Sequence, residues 1–155
     1  MTLRIAIAGL GAIGSAVARR LDAGIEGLSL VAVSGRDLGK TAAAVASFRS
    51  RPQVMASSRL SEVADVVVDC APGPQLGEIA GPALDRGKIV VTANAAVLLD
   101  RMDLVDRARK GGGRIIVPTG ALLGLDAVRA AAEGVVQSVT MITRKPPKGL
   151  VGAPY

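Results

Sequence analysis

The stretch Leu3-Arg4-Ile5-Ala6-Ile7-Ala8-Gly9-Leu10-Gly11-Ala12-Ile13-Gly14 decides the fold. Its first half is an apolar run suited to a buried strand, and its second half spaces three glycines as G-x-G-x-x-G. In the order strand, glycines, helix, each glycine has a physical task. The first permits a tight turn, the second lets the backbone approach a pyrophosphate, and the third lets helix and strand pack closely. A helix is predicted next, because Ile13, Val17 and Leu21 recur at helical spacing as an inward stripe while Arg19, Arg20 and Asp22 take the other face. Phosphates would sit on the free N–H groups at its N-terminus, where the helix dipole favours negative charge. A glycine turn can also be merely structural, but the flanking strand and helix favour a dinucleotide. Gly9, Leu10, Gly11, Ala12, Ile13 and Gly14 are therefore candidate cofactor-binding residues.

Apolar runs and helical stripes alternate from there onward. Strands are expected over 28–33, around Val54, and over 65–70, 88–92 and 114–117. One helix should start near Asp37, with Leu38, Ala42, Val45 and Phe48 inward. Another should run over 75–86 and stop at Gly87. A third should run over 98–110, with Leu98, Met102 and Val105 inward, and end at Gly111-Gly112-Gly113. This alternation predicts an α/β fold, a Rossmann-type doubly wound parallel sheet with right-handed crossovers. Residues 1–118 would form the NAD(P)-binding domain. From Pro118 the pattern changes to a glycine-bearing loop, a helix over 125–133 and a long strand over 135–144. Residues 119–155 thus read as the beginning of a second, substrate-bearing α/β domain, to which the resemblance described below adds dimerisation. One helix and one strand cannot bury their own apolar face, so this piece must pack on the first domain, on another chain, or on chain not included here.

At 155 residues the chain suits one domain plus a piece of a second. Half of it is hydrophobic, yet Phe48 and Tyr155 are the only aromatics, so the core must be built from Ala, Val, Leu and Ile, as parallel sheets allow. The formal charge of +6 is spread over helix faces and loops without interleaved aromatics, which argues against a nucleic-acid surface. No apolar run is long enough for a membrane span, and the N-terminal run reads as a strand rather than a signal peptide, so the cytoplasm is expected. The single Cys70 allows no internal disulfide and no multi-cysteine metal site; no metal is expected. Histidine is absent, so a mechanism that uses an imidazole cannot be completed by this polypeptide alone.

The end of the second strand bears on which nicotinamide cofactor is preferred. NAD sites place an Asp or Glu about 20 residues beyond the glycines to bond the ribose 2′-hydroxyl, whereas NADP sites use an Arg for the 2′-phosphate. This chain offers Ser34, Gly35 and Arg36, with Asp37 one step late. NADP(H) is expected to bind at least as well as NAD(H), with Arg36 and Ser34 on the phosphate; the alternative is that Arg36 is a solvated loop residue. Ligands of open α/β sheets lie outside the carboxyl ends of the strands. The exits Cys70-Ala71-Pro72 and Ala93-Asn94-Ala95 would flank the nicotinamide and its ribose, or be ordinary turns. Cys70 has no neighbouring base and reads as a small buried residue rather than a nucleophile.

The blocks Ile115-Ile116-Val117-Pro118-Thr119-Gly120-Ala121-Leu122-Leu123-Gly124-Leu125-Asp126-Ala127 and Ser138-Val139-Thr140-Met141-Ile142-Thr143-Arg144-Lys145-Pro146-Pro147, with Gly149-Leu150 and Gly152-Ala153-Pro154, resemble the L-aspartate dehydrogenase family. The likeness runs from residue 3 to the last. It implies NAD(P)-dependent interconversion of L-aspartate with iminoaspartate, or with oxaloacetate plus ammonia. It also implies a homo-oligomer, a dimer for the second domain, and a link to NAD biosynthesis. Family members are much longer and their catalytic histidine lies in the remaining part, so this chain looks truncated and is expected to be inactive alone. A dicarboxylate substrate needs N–H donors and a cation, which Gly120, Ala121 and Lys145, or Arg144, could offer. Asp126 reads as a first-turn carboxylate favoured by the helix dipole. One segment, Lys88-Ile89-Val90-Val91-Thr92-Ala93-Asn94, is more similar to homoserine dehydrogenases, in which a lysine important for catalysis follows the Asn. Ala95 stands there instead, which disfavours homoserine as substrate and leaves the use of Asn94 open. The alternatives are a homoserine dehydrogenase-like oxidoreductase and a non-catalytic NAD(P)-binding module.

Overall fold

The computed structural model describes residues 2–119, 124–140, 142 and 144. The chain divides into two compact units, Met1–Pro118 and Thr119–Tyr155. In the first unit β1 (Leu3–Ala8) leads to α1 (Ala12–Asp22), β2 (Leu28–Ser34), α2 (Leu38–Val45) and the short β3 (Gln53–Val54). Next come β4 (Val66–Asp69), α3 (Leu76–Asp85), β5 (Ile89–Thr92), α4 (Ala95–Leu99), α5 (Asp103–Gly111) and β6 (Arg114–Ile116). All strand pairs are parallel and the order is β3-β2-β1-β4-β5-β6. The chain thus winds outward from β1 on one side and restarts at β4 on the other. The crevice between those two strands is where an open α/β sheet accepts a ligand.

The period of two along β1 sends Ile5 and Ile7 to one face of the sheet and Ala6 and Ala8 to the other. Ile5 and Ile7 pack with Ala18 and Leu21 of α1 and Val45 of α2. Ala6 and Ala8 pack with Leu76, Ile79 and Leu84 of α3 and Leu104 of α5. Covering both faces explains why the strands read as unbroken apolar runs.

The helices present different stripes from those expected. In α1 the buried residues are Gly14, Ala18 and Leu21, while Val17 is half-buried and Ile13 is 61% exposed. Small residues at the contact bring the helix axis close to the strands, which turns the larger side chains outward. In α2 Thr41 and Val45 are buried, whereas Leu38 and Ala42 are exposed; Phe48, expected inward on this helix, lies beyond its end and is half-buried. A hydroxyl can take the inward place because Thr41 Oγ1 donates to the Asp37 carbonyl at 2.7 Å. The continuous helix expected over 98–110 is instead α4 and α5, whose buried residues are Leu104 and Ala108; Met102 is exposed. Asp103 and Asp106 fall in the first turn of α5, where the helix dipole favours a fresh start, and Met102 lands at its N-cap.

In the second unit α6 spans Leu125–Ala131. The strand expected over 135–144 is not formed by the described residues of that range, and Val135 is 92% exposed. A strand needs a neighbour to take its backbone hydrogen bonds, and the described part of this unit offers none. Among the described residues no helix is long and apolar enough to cross a membrane.

At the amino end of the sheet one carboxylate ties three strands together. Asp65 accepts from the Arg4 backbone N–H at 3.1 Å, from Arg4 Nη2 at 2.8 Å, and from Lys88 Nζ at 3.2 Å. The Arg4 guanidinium and backbone N–H hold the Asp65 carboxyl well below the usual carboxylate range. A depressed folded-state pKa stabilises fully above the unfolded value of about 3.9 and loses that contribution as pH falls below it. Asp65→Asn should therefore melt at a lower temperature than the unmodified chain by a constant gap above about pH 5, narrowing below about pH 4. Thermal melts across that range check this; a gap that widens in acid would contradict it.

Candidate functional site

The carboxyl end of β1 opens into a turn that the protein's own packing constrains at two of its three glycines. Gly9 has φ +89° and donates its N–H to the Ser34 carbonyl at 2.8 Å. A Cβ on Gly9 would lie 2.8 Å from backbone atoms of Ala71 and Cys70, and a Cβ on Gly14 would overlap the Gly9 carbonyl oxygen. At Gly11 a Cβ would meet nothing within 4 Å. The side of Gly11 is thus open, although it caps the helix that follows. α1 has no side-chain cap and no acidic residue in its first turn. Its leading N–H groups are left without a side-chain partner beside open space.

A cleft of about 750 Å³ lies over this turn. Ala8, Gly9, Leu10 and Gly11 form its centre. The wall beyond β2 consists of Ser34, Gly35, Arg36 and Asp37 with Lys40 and Thr41 of α2. The wall beyond β4 consists of Cys70, Ala71 and Pro72 with Gln75. Of the residues singled out from sequence, Gly9, Leu10, Gly11, Ser34, Arg36, Cys70, Ala71 and Pro72 line the cleft. Ala12, Ile13, Gly14 and Asn94 do not line it; Gly14 lies beneath the turn, packed on Gly9. Gly120, Ala121 and Lys145 lie outside the described residues.

On the β2 side the one acidic residue near the cleft is engaged with its own helix. Asp37 Oδ1 accepts from the Lys40 N–H at 3.0 Å, capping α2, and its carbonyl accepts from Thr41. Arg36 and Lys40 are both exposed at this wall. Lys40 was missed in the sequence, although its place three residues after a capping Asp was a usable signal.

On the β4 side lies a buried polar cluster of which sequence reasoning singled out Asn94 but not Asp69 or Thr92. Asp69, fully buried, ends β4 opposite Thr92 of β5 in the parallel register. Its Oδ1 accepts from the Ala71 N–H at 3.1 Å; its Oδ2 accepts from Thr92 Oγ1 at 2.7 Å and from Asn94 Nδ2 at 2.8 Å. Asn94 Nδ2 also donates to the Ala71 carbonyl at 2.9 Å. Cys70, read as buried, is only half-buried and borders the cleft. Burial, and then the neighbouring Asp69, push its thiol above the ordinary range, which suits a packing residue and not a nucleophile.

The arrangement fits an anionic, two-winged ligand. Bare N–H groups at the centre suit a pyrophosphate, and a wall with two cations suits a further anionic group. Among the described residues no cluster of His, Cys, Asp and Glu could hold a metal.

Residues 9–118 match the family described as homoserine dehydrogenase, NAD binding domain. The chain is 56% identical over 153 residues to an L-aspartate dehydrogenase of Bradyrhizobium diazoefficiens, covering 99% of this chain and 54% of the relative. It is 50% identical over 153 residues to L-aspartate dehydrogenase 3 of Bordetella bronchiseptica, covering 98% and 56%. The chain therefore spans about half the length of the curated relatives it matches. Among solved structures it is similar to myo-inositol dehydrogenase from Lactobacillus casei in complex with NAD(H) and myo-inositol. The TM-score is 0.69 at 25% identity, over 86% of this chain and 42% of that one. It is also similar to Synechocystis biliverdin reductase in complex with biliverdin and NADP+, with TM-score 0.66 at 25% identity, over 84% and 43%.

The raised thiol pKa has a direct readout, because Cys70 is the only cysteine. Its rate of alkylation by iodoacetamide, followed by mass spectrometry, should keep climbing above about pH 8.5, the ordinary thiol value. A rate that levels off by about pH 8 would contradict it.

Proposed function

The chain belongs to the family of homoserine dehydrogenase NAD-binding domains, and on that premise we propose that it is the cofactor-binding part of an NAD(P)-dependent L-aspartate dehydrogenase. The observation that carries the cofactor assignment is Gly11, open on its free side next to an uncapped, acid-free first turn of α1. The identity to L-aspartate dehydrogenases supports the substrate class, a dicarboxylic amino acid and its keto acid. Ala95, in the place where homoserine dehydrogenases carry a lysine, disfavours homoserine.

In this reading the turn from Gly9 to Gly14 seats the pyrophosphate on backbone N–H groups, with Gly14 acting from below by packing on Gly9. Ser34, Arg36 and Lys40 take the adenosine side, and Asp37, committed to its own helix, does not compete with a 2′-phosphate. Cys70, Ala71 and Pro72 border the nicotinamide side. A bound reduced nicotinamide supplies the hydride. The chain's part is to orient that ring and keep the pocket wall free of nucleophiles, which the protonated Cys70 thiol serves. Residues 1–118 form the cofactor domain and 119–155 the beginning of the substrate and dimerisation domain. There Gly120, Ala121 and Lys145 receive the substrate carboxylates. With no histidine in this chain, an imidazole acid or base is supplied from outside it. The working form is a homo-oligomer in the cytoplasm, linked to NAD biosynthesis, with no nucleic-acid or membrane partner.

Two measurements follow from this assignment. NADPH should bind this chain at least as tightly as NADH, and Arg36→Ala should weaken NADPH about tenfold while leaving NADH within about twofold. A marked preference for NADH would contradict it. With oxaloacetate, ammonium and NADPH, this chain alone should bind cofactor yet turn over slowly or not at all; brisk turnover would contradict the assignment of proton transfer to groups outside it.

A further inference from the structure

We propose that Asp69 is a positioning residue of the cofactor cleft, acting through Asn94 and Ala71 to hold the wall beyond β4 in place. This rests on the reading of the cleft as a dinucleotide site.

Both backbone polar groups of Ala71 are pinned by side chains. Its N–H donates to Asp69 Oδ1 and its carbonyl accepts from Asn94 Nδ2. The Asn94 amide has one orientation only. Its two N–H bonds point at a carboxyl oxygen and a carbonyl oxygen, and turning the amide over would set its own oxygen against two acceptors. Thr92 Oγ1 closes the cluster, donating to Asp69 Oδ2 and accepting the Asn94 N–H at 3.0 Å. Asp69 therefore receives three donors while fully buried, and no guanidinium or ammonium stands among its hydrogen-bond partners. A buried carboxyl group in so small a cluster is costly unless every donor is aimed at it, so the cluster has one arrangement.

That arrangement sets the wall's distance from the glycine turn. The Ala71 backbone lies 2.8 Å from where a Gly9 Cβ would be, so loop and turn meet backbone to backbone. Cys70 N–H adds a bond to the Ala8 carbonyl at 2.8 Å. Asp69 and Asn94 are outside the cleft, whereas Ala71, which they grip, lines it. The β2 wall, with Arg36 and Lys40, shares none of these bonds. Loosening the cluster should thus affect one wing of a bound dinucleotide and spare the other.

Two ligands separate the wings: NADPH, which spans both, and adenosine 2′,5′-bisphosphate, which has only the adenosine side. Asn94→Ala in this chain should weaken NADPH about tenfold by fluorescence titration and leave adenosine 2′,5′-bisphosphate within about twofold. Asp69→Asn, which leaves one oxygen for three donors, should show the same split. Combined with Asn94→Ala it should add less than the product of the two single effects, because both act through Ala71. Equal weakening of both ligands would reduce Asp69 to general stability and overturn the proposal, as would unchanged NADPH affinity in Asn94→Ala. If Asp69→Asn fails to fold, the split in Asn94→Ala decides alone. An unmodified chain that binds neither ligand would instead overturn the dinucleotide reading, and the proposal with it.

Discussion

Backbone meeting backbone at the crevice between β1 and β4 is the constraint on which the rest of the structure depends. Gly9 lies against Ala71, and Gly14 lies against the carbonyl of Gly9. Three segments, the end of β1, the first turn of α1 and the exit of β4, thereby share a space that leaves no room for a Cβ at Gly9 or Gly14. The approach draws α1 down onto the sheet, so its contact is made by Gly14, Ala18 and Leu21. The same approach leaves the outer side of Gly11 open.

Around that crevice the two walls are stabilised by different means. Beyond β2 the chain is held by a helix cap, Asp37 on Lys40, and the neighbouring cations stay exposed. Beyond β4 it is held by a buried cluster in which Asp69 collects three donors. A capped, cation-bearing wall can adjust to an anionic group, whereas a wall fixed by a buried cluster presents one shape. In the proposed enzyme this division assigns cofactor selection to the first wall and placement of the reacting ring to the second.

Much of this was legible in the sequence, for identifiable reasons. Strands covered on both faces read as apolar runs, and glycines at fixed spacing after β1 mark the turn, so the α/β class and the centre of the cleft could be read directly. Helix faces were less legible, because packing by Gly14, Ala18 and Thr41 does not register in a search for large apolar side chains. The break between α4 and α5 depends on Asp103 and Asp106 meeting a helix N-terminus, which weighs little in a periodicity argument. The Asp69 cluster was not legible. Asp69 and Thr92 meet only because β4 and β5 pair in one register, and Asn94 was visible as a strand exit while its partners were not. The described residues of 135–144 form no strand for the converse reason, since apolar alternation cannot supply the neighbour that a strand requires.

The most direct test is NADPH titration of Gly11→Val beside a thermal melt of the same variant. Gly11 is extended, at φ −73° and ψ −160°, and a Cβ there meets no protein atom within 4 Å, so the melting temperature should stay near that of the unmodified chain. If a pyrophosphate sits against this glycine, NADPH affinity should fall at least about tenfold. Unchanged affinity in a variant that melts normally would contradict the account.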